Sequence, residues 1–321
     1  MKYNDLQRGL QALKFVKSFK DLKIFYQKLT YIFPQISGTH YKHTNVPPSL
    51  QIEPTNHCNL NCICCAHSGS TRKRGYMDLN LFQKIIDDAS EIGIKRIHLY
   101  LLGEPLLHPQ IVEMISYIKS KNLGVHLTTN GMLLNKEKTE NILRSGINSA
   151  DLFTFSILGH SKDIHEMVMR GVNHDVVLKN IFDFKELRKK LRVNGPAIET
   201  VFFTMPENQH ERDQFTKYWK GRVDHVTVYE KISKYFSDYD KMVPLNIHRK
   251  KTCPGLWERM IIFWNGDVPL CVADINGKYI LGNLKNQSIK EIWNSKQLLS
   301  IKKLHEEKQF QKFPLCSMCD M

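Results

Sequence analysis

The chain has 321 residues and a formal net charge of +14, with 42% hydrophobic and 24% charged residues. That composition is ordinary for a soluble globular protein, and the length allows one large domain or two modest ones. No uninterrupted apolar run reaches the roughly 18 residues that would indicate a membrane span, and the N-terminus lacks the pattern of a secretory signal. We therefore expect a cytoplasmic protein without a transmembrane segment.

The basic excess is concentrated in two stretches. Residues 1–46 carry eight Lys or Arg against two Asp, and residues 277–312 carry eight Lys against three Glu. Neither is a dense basic block with interleaved aromatic residues, so specific nucleic-acid binding is not indicated. A solvated basic surface is the main interpretation. A phosphorylated substrate, an acidic peptide and a membrane surface remain alternatives.

The first segment has apolar residues at helical spacing with lysines between them. It predicts an N-terminal helical extension over residues 1–46, which caps the main domain or, alternatively, lies on a membrane surface. The apolar positions are Leu10, Leu13, Val16, Phe19, Leu22, Phe25, Leu29 and Ile32.

From Leu50 onward, short β-branched runs alternate with helical patterns. This alternation predicts an α/β fold with a parallel sheet, and six units fit a partial (β/α)6 barrel over residues 47–232. A linker is expected at 233–252. The predicted strands are Leu50–Thr55, Arg96–Leu101, Gly124–Thr128, Asp151–Ser156, Ile198–Thr204 and Asp224–Tyr229. The predicted helices are Leu79–Ile92, Pro109–Lys121, Lys136–Ser145, Asp175–Leu191 and Glu211–Gly221.

A cysteine run, C-x3-C-x2-C, follows the first predicted strand at Cys58, Cys62 and Cys65. Three thiolates can hold three irons of a 4Fe-4S cluster and leave the fourth iron open for another ligand. A structural zinc site is the alternative, but zinc usually takes four ligands in two fixed pairs. Catalytic chemistry in barrel folds gathers at the C-terminal ends of strands, which is where this run lies.

The run and its setting, residues 53–65, resemble the signature of the radical S-adenosylmethionine (radical SAM) superfamily. The resemblance implies that SAM binds the open iron and is cleaved reductively to a 5′-deoxyadenosyl radical, which removes a hydrogen atom from a substrate. It also implies a reductant partner such as flavodoxin or ferredoxin. Cys64 stands where the family usually has an aromatic residue that touches the adenine, so that contact is in doubt.

Later motifs match the family in order. Gly103 and Glu104 resemble its Gly-Gly-Glu motif, whose backbone carbonyls hold the SAM amino group, with Leu102 in place of the first glycine. The resemblance implies further SAM contacts at strand ends and in one loop, by Thr129, Asn130, Ser156 and Arg170. Arg170 suits a carboxylate because its guanidinium is forked.

The other four cysteines lie near the C-terminus, at Cys253, Cys271, Cys316 and Cys319. A predicted hairpin, Met260–Trp264 and Val268–Cys271 around Asn265-Gly266-Asp267, would bring the first two together. A helix near Ser288–Leu304 leads back to the last pair. By spacing alone, zinc and iron–sulfur fit equally well. The C-x12-G-x4-C opening resembles the SPASM and twitch extensions of radical SAM enzymes, which implies an α+β auxiliary 4Fe-4S domain over 253–321.

The resemblance predicts a radical SAM oxidoreductase that dehydrogenates a sugar, an aminocyclitol or a similar polar small molecule, with the auxiliary cluster as electron acceptor. Twitch-bearing relatives include an aminocyclitol dehydrogenase. Only Cys64 lies outside both cysteine groups, which argues against thiol-dependent epimerisation. A peptide maturase acting on a short peptide, or a sugar epimerase, is the alternative. A proton acceptor cannot be assigned from sequence; Asp274 and Asp267 are candidates only by their place near the hairpin.

Overall fold

The computed structural model describes residues 43–229, 252–317 and 319. The helices predicted within residues 1–46 and nearly all of the predicted linker lie outside these ranges. The described residues from Thr44 onward belong to one compact unit. None of the described helices is long and apolar enough to cross a membrane.

A seven-stranded parallel sheet forms the core, in the order β6-β5-β4-β3-β2-β1-β7. The α/β prediction is therefore confirmed, and the predicted strand positions match to within a few residues. The strands are β1 (Leu50–Ile52), β2 (Arg96–Leu99), β3 (Gly124–Thr129), β4 (Leu152–Ser156), β5 (Ala197–Phe203), β6 (His225–Tyr229) and β7 (Met260–Ile262).

Helices cover one face of the sheet. Phe153 of β4 stacks on Phe184 at 5.4 Å between ring centroids, and Phe202 of β5 lies 4.9 Å from Phe215. Helix starts are set by side-chain caps such as that of Asp78, which accepts from the Leu81 N–H. The helices are α1 (Leu79–Glu91), α2 (Ile111–Ser120), α3 (Lys136–Arg144), α4 (Lys162–Val168), α5 (His174–Lys190) and α6 (Arg212–Trp219).

The predicted C-terminal hairpin is wrong in its pairing. Met260–Ile262 is the seventh strand of the main sheet, parallel to β1, and it is buried. The strand β8 (Asp267–Pro269) pairs instead with β9 (Ile280–Asn283), antiparallel. The turn around Asn265-Gly266-Asp267 does form, and it is closed by a hydrogen bond from the Phe263 N–H to the Asp267 carbonyl at 2.8 Å. An all-apolar strand gains more by covering the open edge of β1 than by forming an isolated hairpin.

The remaining helices are α7 (Gly255–Glu258), α8 (Ile289–Trp293), α9 (Lys296–Glu306) and α10 (Pro314–Ser317). The single helix predicted near Ser288–Leu304 is therefore two helices. Each has its own serine N-cap, Ser288 with a full capping box and Ser295 accepting from the Leu298 N–H. The second cap interrupts the helical pattern because a side chain that caps the backbone favours a helix start.

Candidate functional site

The cysteine run follows β1 as a loop attached to the end of α4 and the residues after it. The Asn61 N–H donates to the Arg170 carbonyl and the Ile63 N–H to the Val168 carbonyl, both at 2.9 Å. This pairing brings Arg170, which is distant in sequence, beside the loop. We call residues 57–65 the cysteine loop.

The three thiols of the run lie close enough to influence one another's ionisation. Burial raises the pKa of Cys58 to about 11, and burial together with the neighbouring thiols raises the pKa of Cys62. Burial is again the largest cause of the raised pKa of Cys65, and Arg74 opposes that rise. Within the described ranges, no three Cys, His, Asp or Glu side chains are already gathered around a single metal position. Three half-buried thiols on one loop are a donor set that fits an iron–sulfur cluster.

Gly103 lies against the start of the cysteine loop. A Cβ there would come within 2.0 Å of the Thr55 carbonyl oxygen and 2.7 Å of that of His57. The next N–H, of Glu104, donates to the His57 carbonyl at 2.8 Å. Only glycine allows this approach, so the motif after β2 fixes the position of the loop.

The side chain of Glu104 points into the protein. It is buried, and its two oxygens accept from the Thr129 hydroxyl at 2.7 Å and the Asn130 N–H at 2.8 Å. Burial raises its pKa, while these donors lower it. The carboxyl group therefore holds the loop after β3, and a cofactor contact at Glu104 is left to its backbone.

The predicted SAM contacts gather at one edge of the sheet. The Asn130 side-chain N–H donates to the Asn59 side-chain oxygen at 2.9 Å, which joins the loop after β3 to the cysteine loop. Ser156 ends β4 at the same edge, opposite Val201. The structure thus brings Gly103, Glu104, Thr129, Asn130 and Arg170 to the cysteine loop, and places Ser156 on an adjoining strand end.

An arginine that the sequence did not reveal ties this region to the C-terminal segment. Arg72 forms a two-pronged ion pair with Glu53 at 2.7 and 2.8 Å, with Glu53 fully buried and the Arg72 side chain 11% exposed. Its guanidinium lies 3.6 Å over the Phe263 ring and donates to the Ile275 carbonyl at 2.7 Å. No spacing rule pairs residues this far apart in sequence.

The C-terminal cysteines form the second group. Burial raises the pKa of Cys271 to about 12, and Cys253 and Cys316 are near enough to raise it further. The Cys319 N–H donates to the Cys316 carbonyl at 3.2 Å, so this pair forms a tight turn, and both are buried. The structure therefore places Cys253 and Cys316 each near Cys271, with Cys319 in the turn that follows.

A histidine joins two of these cysteines. The Cys253 N–H donates to His305 Nδ1 at 3.2 Å, and His305 Nε2 lies 3.3 Å from the Cys316 sulfur. The imidazole is fully buried, with Phe310 at 5.0 Å and Trp257 at 6.3 Å between ring centroids. The only sequence feature that indicated this contact was the position of the histidine, in the last turn of a helix that precedes the C-x2-C pair.

The sheet face opposite α1–α6, the inner face, carries a polar chain that the sequence also did not reveal. His98 Nδ1 lies 3.1 Å from His126 Nδ1, and His126 Nε2 lies 2.9 Å from the Thr154 hydroxyl. That hydroxyl donates to Glu199 at 2.7 Å, and the Thr227 hydroxyl donates to the other Glu199 oxygen at 2.6 Å. The only sequence feature that indicated this polar chain was the alternation of apolar and polar residues along β3, which the structure places in buried and half-buried positions.

The hydrogen-bond directions along this chain follow from the neighbours. Burial, and for His98 the neighbouring His126, hold the pKa of both histidines far below its ordinary range, so both rings are neutral. Because the Thr154 proton goes to Glu199, the hydroxyl oxygen accepts from His126 Nε2–H. His126 Nδ1 then accepts from His98 Nδ1–H. Side chains from β2 through β6 therefore hold one carboxylate in a fixed direction.

The two aspartates near the predicted hairpin have structural roles. Both oxygens of Asp274 accept backbone N–H groups, from Lys278 and Tyr279 at 2.8 Å. Asp267 accepts from the Asn265 and Asn283 side chains at 2.6 and 2.7 Å. These bonds shape the loops around β8.

Comparison with known proteins identifies the family. The Radical SAM superfamily profile matches residues 52–218, which include the cysteine loop and the whole of β2 to β5. The chain belongs to the radical SAM superfamily. An iron-sulfur cluster-binding domain profile, SPASM, matches residues 253–320. This radical SAM protein accordingly uses S-adenosylmethionine and 4Fe-4S clusters.

Three relatives of this radical SAM protein show how distant the similarity is. The tungsten-containing aldehyde ferredoxin oxidoreductase cofactor-modifying protein of Pyrococcus furiosus is 21% identical over 317 residues, covering 85% of this chain and 87% of that protein. BtrN in complex with AdoMet and 2-DOIA superposes with a TM-score of 0.60 and 20% identity, over 87% of this chain and 95% of BtrN. Streptococcus suis SuiB bound to precursor peptide SuiA superposes with a TM-score of 0.60 and 16% identity, over 88% of this chain and 71% of SuiB. At these identities the superpositions establish the fold.

Proposed function

We propose that this enzyme dehydrogenates a polar small molecule of the sugar or aminocyclitol class. The observation that carries the proposal is the anchored carboxylate of Glu199 on the polar inner face. Hydroxyl and amino groups of such a substrate would exchange hydrogen bonds with His98, Thr227 and Glu199, while His126 holds His98 and Thr154 in place. The similarity to BtrN, which was crystallised with AdoMet and 2-DOIA, supports the same class.

Seven cysteines are proposed as cluster ligands and six residues as SAM contacts. Cys58, Cys62 and Cys65 would hold the SAM-binding cluster, and Cys253, Cys271, Cys316 and Cys319 the auxiliary one. The proposed SAM contacts are Gly103, Glu104 through its backbone, Thr129, Asn130, Ser156 and Arg170. When bound, these groups supply a 5′-deoxyadenosyl radical and an electron acceptor.

Glu199 is the proposed proton acceptor. Removal of a hydrogen atom from a CH–OH carbon leaves a carbon radical that still bears the hydroxyl group. To become a ketone, that radical must lose one proton, from its oxygen, and one electron. Glu199 takes the proton, because its oxygens keep lone pairs beyond those used by Thr154 and Thr227. The auxiliary cluster, which Cys253, Cys271, Cys316 and Cys319 would hold, would supply the electron acceptor that balances the oxidation.

Mass spectrometry tests the reaction. A small-molecule extract of the native host is incubated anaerobically in D2O with reconstituted enzyme, SAM and reductant. We expect a metabolite to lose two hydrogens as 5′-deoxyadenosine accumulates. A metabolite that instead gains one deuterium at carbon would identify an epimerase and overturn the proposal.

Peptide maturation is the second candidate, since SuiB was crystallised with its precursor peptide SuiA and has a comparable TM-score. A reductant such as flavodoxin or ferredoxin is proposed for either reaction. The two are separated by adding the low-molecular-mass fraction and the peptide fraction of the same extract separately. Substrate consumption only in the peptide fraction would favour the maturase.

The two-cluster assignment has its own test. Replacing Cys58, Cys62 and Cys65 by alanine is expected to abolish SAM cleavage and to lower iron from about eight to about four per chain after anaerobic reconstitution. Colorimetric iron and zinc assays of the purified variant decide it. A variant that retains zinc and no iron would contradict the auxiliary iron–sulfur site.

A further inference from the structure

His305 lies between two cysteines of the C-terminal group and contacts both through different ring nitrogens. Nδ1 is 3.2 Å from the Cys253 backbone nitrogen, and Nε2 is 3.3 Å from the Cys316 sulfur. The residue is in the last turn of α9, and its exposed fraction is zero. A buried imidazole with both nitrogens engaged has a fixed orientation.

The contact with the backbone decides which nitrogen carries the proton. An amide N–H can only donate, so Nδ1 of His305 must accept from Cys253 and carries no proton. In the neutral ring the proton is then on Nε2, which points at the Cys316 sulfur. The hydrogen bond therefore runs from imidazole to sulfur.

We propose that His305 donates this hydrogen bond to Cys316 as a ligand of the auxiliary cluster and so raises the cluster's reduction potential. A reduced cluster carries one more negative charge, part of it on sulfur, and an N–H donor stabilises that form more than the oxidised one. The aromatic rings of Trp257 and Phe310 surround His305. Because such apolar surroundings screen charge weakly, they strengthen the stabilisation of the reduced cluster by the N–H group. This inference rests on the proposed function, in which that cluster accepts the substrate's electron. His305 is thus a positioning residue, not a catalytic one.

A redox titration monitored by electron paramagnetic resonance tests the proposal. The protein is the full chain with Cys58, Cys62 and Cys65 replaced by alanine, so that only the auxiliary cluster gives a signal. His305→Leu fills similar volume without a donor and is expected to shift the midpoint potential to more negative values. His305→Gln is the matched control: its Oε1 and Nε2 can stand in for Nδ1 and Nε2, so its potential should remain near that of the chain that retains His305.

Two outcomes of these measurements would overturn the proposal. The first is a His305→Leu variant that titrates with the same midpoint potential as the chain that retains His305. If that variant fails to bind a cluster, pulsed electron paramagnetic resonance on the histidine-containing protein labelled with 15N-histidine decides instead. A weak nitrogen coupling with an exchangeable proton supports the hydrogen bond. A strong nitrogen coupling would show that His305 ligates the cluster directly, and the absence of any coupling would show that His305 does not contact it. Either result would overturn the proposal.

These measurements use neither SAM nor substrate. A failure of the proposed dehydrogenation therefore leaves their result unchanged. Conversely, if the cluster potential does not change when His305 is replaced, His305 does not tune the cluster. The proposed dehydrogenation would then still be tested separately, by mass spectrometry of its product.

Discussion

Glu104, in the loop after β2, and Glu199, on β5, show how differently two carboxylates can be used. Glu104 is fully enclosed by the protein's own donors and fixes two loops. Glu199 is bonded by two threonine hydroxyls but remains partly exposed on the inner face. The first could be singled out from sequence through a motif and the second could not, because no local pattern reveals which side chains meet across a sheet.

Replacement of Glu199 by glutamine tests its proposed role. We expect SAM cleavage to continue while formation of the two-hydrogen-poorer product falls by about 10²- to 10⁴-fold, the usual range for loss of a general base. The ratio of 5′-deoxyadenosine to product, measured by liquid chromatography, reports this uncoupling. Thr227→Val, which leaves the carboxylate and its bond to Thr154, serves as control and should uncouple far less. An unchanged ratio in Glu199→Gln would exclude Glu199 as the proton acceptor.

At the scale of elements, the inner face makes stability depend on pH. His98 and His126 are held neutral in the fold by burial, with pKa values far below the ordinary 6.5. Below pH 6.5 the unfolded chain binds protons at both positions and the folded chain does not. Their contribution to stability is therefore complete above pH 6.5 and is lost as pH falls through and below that value, by up to about 1.4 kcal/mol per pH unit for each histidine.

Calorimetry between about pH 7.5 and pH 5.5 checks this dependence, since the interval spans the ordinary histidine pKa. The melting temperature of the unsubstituted protein should fall more over this interval than that of His126→Gln, which lacks one of the two groups. Parallel falls in the two proteins would show that the pair is not the source. His210→Gln is the control for the loss of a histidine as such, because the His210 side chain is exposed. Its melting temperature should fall with pH as much as that of the unsubstituted protein.

A buried ion pair helps to hold the segment between β1 and α1. Arg72→Ala leaves the fully buried Glu53 without its partner, which should cost about 3 to 5 kcal/mol. Arg144→Ala removes an exposed pair with Glu140 on α3 and should cost only about 0.3 to 0.5 kcal/mol. Denaturant unfolding of the two variants gives the comparison. Similar losses would mean that the Arg72 pair contributes no more than a surface pair.

Across the whole molecule, the features that could be predicted from sequence are those whose chemistry is local. The cysteine spacing and the strand–helix alternation placed the family and the strands β1 to β6, since each rests on neighbouring residues. Met260–Ile262 was assigned the wrong partner because nothing in an apolar run shows whether it pairs with the next strand or with one at the other end of the chain. Arg72 and His305 were missed because no local pattern shows which side chains of different segments meet in the fold.

The position of β7 predicts that the C-terminal domain is not separable. A chain ending at Thr252 would lose β7 and expose the β1 edge that carries the cysteine loop. We expect it to be largely insoluble, and its soluble fraction to bind less iron than the full chain with Cys253, Cys271, Cys316 and Cys319 replaced by alanine. Sedimentation and iron assays of both proteins decide. Equal solubility and iron content would show that the core is self-sufficient.

The same strand has a consequence for the order of events during synthesis. The ribosome produces β1 early, and β2 can pair with one of its edges soon afterwards, but the other edge waits until Met260–Ile262 has emerged. Throughout that interval the nascent chain presents an unpaired strand edge next to the Cys58–Cys65 region. Cluster delivery before Met260–Ile262 has emerged would therefore meet an unfinished binding site, and chaperone protection of that edge would be needed until then.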